Sequence, residues 1–136
     1  MGFAFEQKVL FRHCDPAGIV FYPRYFEMMN DCVEAFFAER LACPFEKIHP
    51  QAAVPTAEIS ARFRAPSRHG DRLCLVLDVR AVGRTSAAIA ITATCDGAPR
   101  FDSRATLVHV DAQGRPARWP DALRAGFDSI CKGSQQ

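Results

Sequence analysis

His13-Cys14-Asp15-Pro16-Ala17-Gly18-Ile19-Val20-Phe21-Tyr22-Pro23-Arg24-Tyr25 is the stretch on which the reading of this chain turns. Asp-Pro followed by a glycine marks a short turn, and it comes just ahead of the only long helical pattern in the sequence. Pro23 suits the first position of that helix. Its φ is already helical, and the N–H it lacks would have had no intrahelical acceptor. The helix therefore begins at about Tyr22, where unpaired backbone N–H groups carry the positive end of the helix dipole and can hold an anion or an oxygen becoming one. One carboxylate, Asp15, and a set of oxyanion donors thus fall within a single loop. That is the minimum equipment for attack on a carbonyl.

Upstream of this loop, residues 5–12 alternate, with Phe5, Val9 and Phe11 on one face and Glu6, Lys8 and Arg12 on the other, as in a half-buried strand. Downstream the period changes to about 3.6. Tyr25, Met28, Met29, Cys32, Val33, Phe36 and Phe37 form a broad apolar stripe opposite Glu27, Asn30, Asp31 and Glu34, predicting a mostly covered helix to about Leu41. Residues 42–55, with Pro44, Pro50 and Pro55, read as irregular. Strands follow at 56–65, 73–79, 87–93 and 101–110, separated by turns at 68–71, at Gly83 and at Asp96-Gly97-Ala98-Pro99. Pro120 opens a short terminal helix over 121–131, and 132–136 read as frayed. The short connections make the last four strands an antiparallel meander, with the long helix lying across one face. Such an α+β sheet leaves two edges to protect, so pairing between subunits is expected.

The 136 residues read as one domain, 1–136, large enough for a core. Apolar residues make up 49% and charged residues 24%, the balance of a soluble globular protein. No apolar run approaches the ~20 residues of a membrane helix, and the N-terminus lacks the zones of a signal peptide, so no membrane partner and a cytoplasmic location are expected. The six cysteines, at 14, 32, 43, 74, 95 and 131, show no Cys-x-x-Cys spacing, and no metal site is expected. A net charge of +2 does not point to nucleic acid. Of the 17 basic residues 14 are arginine, a bias that fits a phosphorylated ligand and equally a GC-rich coding sequence.

Asp15-Pro16-Ala17-Gly18, then Tyr22-Pro23 opening the helix and Tyr25 within it, resembles the signature of the hotdog-fold acyl-CoA thioesterases, in particular the 4-hydroxybenzoyl-CoA thioesterase family. The resemblance covers about residues 5–125. It implies the hotdog fold, a long helix wrapped by a five- or six-stranded antiparallel sheet, and an oligomer, dimer or tetramer, with sites at subunit interfaces. It implies Asp15 as the catalytic carboxylate and the backbone N–H of Tyr22 as the group polarising the thioester carbonyl. Gly18, Tyr25 and His13 become candidate substrate-binding residues. Arg84, Thr85 and Ser86 fall in the turn where related enzymes contact the nucleotide and phosphates of coenzyme A. Coenzyme A is then part of the substrate, with no separate cofactor.

The chemistry asks little of a protein. A thiol leaving group has a pKa near ~8.5 and departs without much acid help. A carboxylate must activate water or attack directly, and fixed donors must stabilise the oxyanion, each by about 3 kcal/mol. No Gly-x-Ser-x-Gly is present to support a serine route. Three alternatives stay open at this point: a carrier-protein thioesterase, an acyl-thioester hydratase or dehydratase on the same fold, and a non-catalytic acyl-CoA binding module.

Overall fold

A computed structural model of the chain describes residues 2–134, with side chains as far as Cys131. In chain order the elements are β1 (Phe3–Lys8), a 3-10 turn (Phe11–His13), α1 (Pro23–Glu39), α2 (Phe45–Ile48), β2 (Ala52–Ala53), β3 (Thr56–Phe63), β4 (Arg72–Val82), β5 (Ser86–Cys95), β6 (Ala98–Val108), β7 (Val110–Asp111) and α3 (Asp121–Ser134). The main sheet has five strands in the order β1-β4-β5-β6-β3, every neighbouring pair antiparallel. Two-residue β2 and β7 form a separate ribbon.

The long helix is where the 3.6-residue stripe placed it, and Pro23 is its first residue. All seven stripe residues are buried. The methionines, Val33 and the phenylalanines among them contribute roughly 1.5–3 kcal/mol of transfer free energy apiece, an upper figure because the unfolded chain already buries part of that surface. The helix packs on the sheet through aromatic pairs. Tyr25 meets Phe101 of β6 at 5.1 Å between ring centroids, and Phe36 meets Phe3 of β1 edge-on at 5.7 Å. Phe37 touches Phe127 of α3 at 6.1 Å, and Trp119 packs on the same Phe127 at 5.0 Å. These contacts close the core at the C-terminal end of the chain. The terminal helix continues to Ser134, past the expected frayed start at 132, and residues 135–136 lie outside the described residues.

Two expectations are corrected. The last four strands are not one meander. Only β4, β5 and β6 run as consecutive hairpins, whereas β3 pairs with β6 at the far edge. The segment after Phe63 crosses the end of the sheet before β4 begins, anchored by the Arg64 and Ala65 N–H groups on the Arg100 carbonyl at 2.8 and 3.3 Å. Phe11 is likewise not a core residue. β1 stops at Lys8, and the 3-10 turn rotates the Phe11 ring outward, leaving it 80% exposed while Val9 is fully buried.

The sheet thus ends on two open edges, β1 and β3. On β3 every residue except Ala61 is exposed, including Ile59 at 42% and Phe63 at 44%. Alternation along this strand is present, but its apolar side is only partly covered within one chain: Phe63 stacks on Tyr25, yet Ile59 and Phe63 both stay exposed.

Candidate active site

Residues 13–21 fold back as a short hairpin, not an open loop. The Asp15 N–H donates to the Ile19 carbonyl at 2.9 Å, and the Phe21 N–H donates to the His13 carbonyl at 2.9 Å. Gly18 makes the reversal possible. Its N–H donates to the Asp15 carbonyl at 2.9 Å, and its φ of +82° belongs to the left-handed region that side chains disfavour. Within the turn Asp15 Oδ1 accepts the Ala17 N–H at 2.9 Å, as an aspartate does when its side chain copies a backbone turn. Oδ2 has no donor among the described residues, so the half-buried carboxylate presents one oxygen for other work.

At the other end of the hairpin the chain enters α1. The Arg24 N–H donates to the Phe21 carbonyl at 2.8 Å and the Tyr25 N–H to the Tyr22 carbonyl at 3.1 Å, while Pro23 has no N–H to place. The Tyr22 N–H has no acceptor among the described residues. It is an orphan donor at a helix start, aligned with the positive end of the helix dipole. Asp15 and the Tyr22 amide are therefore held at two ends of one hydrogen-bonded hairpin.

A second loop supports this hairpin. The Ser67 carbonyl accepts the Val20 N–H at 2.9 Å, and Ile19 pairs with Arg68. Ser67 is fully buried, and its Oγ accepts from Arg100 Nη1 at 3.1 Å. The same Nη1 donates to Asp71 Oδ2 at 2.8 Å, and that oxygen also accepts the Arg68 N–H at 2.9 Å. The Arg68 amide, followed by the Arg100 guanidinium, holds the Asp71 carboxyl below the usual carboxylate range. Sequence reasoning missed Ser67, Arg68, Asp71 and Arg100. Nothing local marks them, because the network joins a turn to a strand 29 residues further on.

The candidate residues divide by position. His13 is 2% exposed, and its Nδ1 accepts the Leu10 N–H at 2.8 Å, which leaves the ring proton on Nε2. Burial, then the Arg12 charge, hold its pKa below the ordinary histidine value, so it serves as a neutral brace beneath the hairpin. Tyr25 is also buried, stacked on Phe63 at 5.5 Å. Arg84, Thr85 and Ser86 are not brought to Asp15 within one chain. The hairpin lies beside Arg72, where β4 starts, whereas this turn lies where β4 ends and β5 begins, about 30 Å away at ~3.3 Å per residue over ten residues. There the Gly83 N–H closes the turn on the Ser86 carbonyl at 2.8 Å. The carbonyls of Arg84, Thr85 and Ser86 accept from the Trp119 N–H, the His109 N–H and the Trp119 indole. Thr85 and Ser86 thus contribute backbone, and Arg84 lines an open cleft of about 410 Å³ with Arg118, Arg124 and Asp121.

A third feature is an apolar slot of about 70 Å³ between α1 and the sheet, lined among others by Phe26, Met29, Ile59, Ile91 and the polar Asn30 and Ser103. Among the described residues no group of three or more His, Cys, Asp or Glu is placed to hold a metal ion. Burial pushes the Cys32 thiol up to about 12, which makes it a packing residue and not a nucleophile. No helix among the described residues is long and apolar enough to cross a membrane.

Set against known proteins, the chain matches the thioesterase-like superfamily over residues 9–127. No curated protein matches it. Solved structures do. A 1,4-dihydroxy-2-naphthoyl-CoA thioesterase from Synechocystis superposes with a TM-score of 0.87 at 18% identity, covering 96% of this chain and 98% of that one. A gentisyl-coenzyme A thioesterase gives 0.84 at 25% identity over 91% and 98%. A Staphylococcus aureus protein solved in complex with CoA gives 0.90 at 15% identity over 97% and 85%. At such identities the likeness carries the hotdog architecture, and the superfamily match over most of the chain carries the kinship. The chain belongs to the thioesterase-like superfamily and is a thioester hydrolase.

Proposed function

We propose that the protein hydrolyses acyl-CoA thioesters, with an aromatic acyl group of the 4-hydroxybenzoyl type as the first class to try, and that Asp15 and the Tyr22 N–H are its working groups. The observation that carries this reading is the hairpin itself, which ends in a carboxylate oxygen and a backbone donor that both lack partners among the described residues. In the proposed reaction the thioester carbonyl oxygen takes the Tyr22 N–H. Asp15 either attacks the carbonyl carbon, giving a mixed anhydride that water opens, or removes a proton from the attacking water. CoA leaves as the thiolate in both versions and takes up the proton released by the water, which opens the anhydride in the first version and attacks in the second.

The acyl group is assigned to the slot between α1 and the sheet, where Asn30 and Ser103 supply polar atoms in an apolar lining suited to a ring bearing a hydroxyl. We infer that the sheet curls about α1 as a hotdog sheet does, and that the protein works as a dimer or a dimer of dimers, in the cytoplasm, with no cofactor beyond the substrate's own CoA. The exposed β3 edge favours self-pairing. Antiparallel pairing of two β3 strands would bring the Thr56 end of one protomer to the Phe63 end of the other, moving a partner's Arg84 cleft toward the Asp15 hairpin. The cleft's three arginines fit the CoA phosphates.

The test is thiol release from a panel of aromatic and aliphatic acyl-CoAs by wild type and Asp15→Asn. Turnover that collapses about 100-fold or more in the variant, with ligand binding retained, is the expected result. Unchanged turnover in Asp15→Asn would remove the carboxylate from the mechanism.

A further inference from the structure

Around the Asp15 hairpin several guanidiniums are already paired, though Arg12, exposed on the 3-10 turn, has no carboxylate partner among the described residues. Arg24 bonds Glu27 through Nη1 at 2.8 Å, Arg100 bonds Asp71 at 2.8 Å, and Arg64 donates from Nε to Asp102 at 2.7 Å. Arg68 differs. Among the described residues no carboxylate lies within ion-pair reach of it, yet its backbone is fixed by Asp71 Oδ2 and by pairing with Ile19. Its Nη1 lies 4.0 Å from where a Cβ on Gly18 would stand, so the guanidinium hangs directly over the turn that carries Asp15.

We propose that Arg68 is a substrate-binding residue that takes an anionic oxygen group, carboxylate or phosphate, of the thioester as it passes the Gly18 turn. The inference rests on the thioesterase reading above. A cation that is free to pair, with its backbone tied down and its head beside the reactive hairpin, costs little ordering when an anion arrives. A planar guanidinium fork also suits either oxyanion bidentately.

Three thioesters with the same scissile bond separate the two anion sources: benzoyl-CoA carries phosphates, 4-carboxybenzoyl-pantetheine carries an acyl carboxylate, and benzoyl-pantetheine carries neither. For Arg68→Gln the expected result is a kcat/KM lower by about 10- to 100-fold on whichever substrate bears the bound anion, as for a lost charge-assisted hydrogen bond. Benzoyl-pantetheine stays unchanged, and Arg68→Lys recovers part of the loss. Loss on benzoyl-CoA alone assigns the phosphates, and loss on 4-carboxybenzoyl-pantetheine alone assigns the acyl carboxylate. An equal loss on benzoyl-pantetheine, above all with a displaced pH–rate profile, would mean that Arg68 acts only through Asp15 and would overturn the proposal. So would no loss on any substrate. Should wild type turn over none of the three, the thioesterase reading is at fault for these substrates, and calorimetric binding of the two anionic thioesters decides the contact separately. Weaker binding by Arg68→Gln supports it, and equal or absent binding overturns it.

Discussion

Arg100 and Asp71 meet through Nη1 and Oδ2 at 2.8 Å, and the oxygen they share also holds the Arg68 backbone, so one ion pair fixes the loop on which the Asp15 hairpin rests. Both side chains are largely buried, at 17% and 30% exposure. Breaking the pair leaves a charge with reduced access to water, at a cost of about 1.5–3 kcal/mol. Asp71→Asn should lose that stability at pH 7 by urea unfolding. Its carboxyl pKa is lowered in the folded state, so the wild-type advantage is complete above the unfolded value of about 3.9 and disappears as pH falls through the folded value. The two unfolding curves should converge as pH falls well below the unfolded value, and a gap that stays constant there would deny the pair its role.

His13 gives a second pH signature with a different window. Burial and Arg12 lower its pKa, with Arg24 adding to that and Glu27 and Asp31 opposing it. A lowered histidine binds protons more readily when unfolded. Its contribution to stability is therefore complete above the unfolded value of about 6.5 and is lost as pH falls below it. Wild type should lose more stability between pH 7 and pH 5 than His13→Gln, whose amide oxygen can still accept the Leu10 N–H. Equal slopes for the two proteins would place the titrating group elsewhere.

Local pattern made the helix legible. Pro23 sits where its missing N–H does no harm, and the stripe from Tyr25 to Phe37 matches the buried face residue for residue. The Asp15–Gly18 turn was equally readable, since Asp-Pro and a left-handed glycine are local devices. What could not be read is pairing at a distance. β3 alternates as well beside β6 as it would beside β4, because alternation names a face and not a neighbour. The Ser67–Arg100–Asp71 network failed to show for the same reason. The separation of Arg84 from Asp15 is not legible either, because a linear motif carries no information about which end of a sheet each turn occupies.

The bare β3 edge predicts an obligatory partner. Ile59 is 42% exposed and also lines the slot between α1 and the sheet, so Ile59→Glu is read by its oligomeric state alone: it places a charge where a second sheet edge would approach. Wild type should run as a dimer or tetramer in light scattering, and Ile59→Glu should shift toward monomer. Activity per protomer in wild type should also fall on dilution through the dissociation range. A fully active wild-type monomer would refute shared sites.

Gly18 and Gly97 share a φ of +82°, one in the Asp15 turn and the other in the β5–β6 hairpin. An added Cβ meets nothing within 4 Å at Gly97 and only Arg68 Nη1, at 4.0 Å, at Gly18, so the penalty at both is the backbone conformation itself. For a non-glycine residue that is about 1–2 kcal/mol. Alanine at either position should therefore lower Tm by a similar few degrees. The effects on turnover should part. At Gly97 the turn holds no reacting group, and kcat stays within about twofold. At Gly18 relief of the strain reorients the hydrogen bond from its N–H to the Asp15 carbonyl, and with it the Asp15 carboxylate, so kcat falls by roughly tenfold or more. Matched losses of turnover in the two variants would trace the effect to global destabilisation and detach the Gly18 turn from the chemistry.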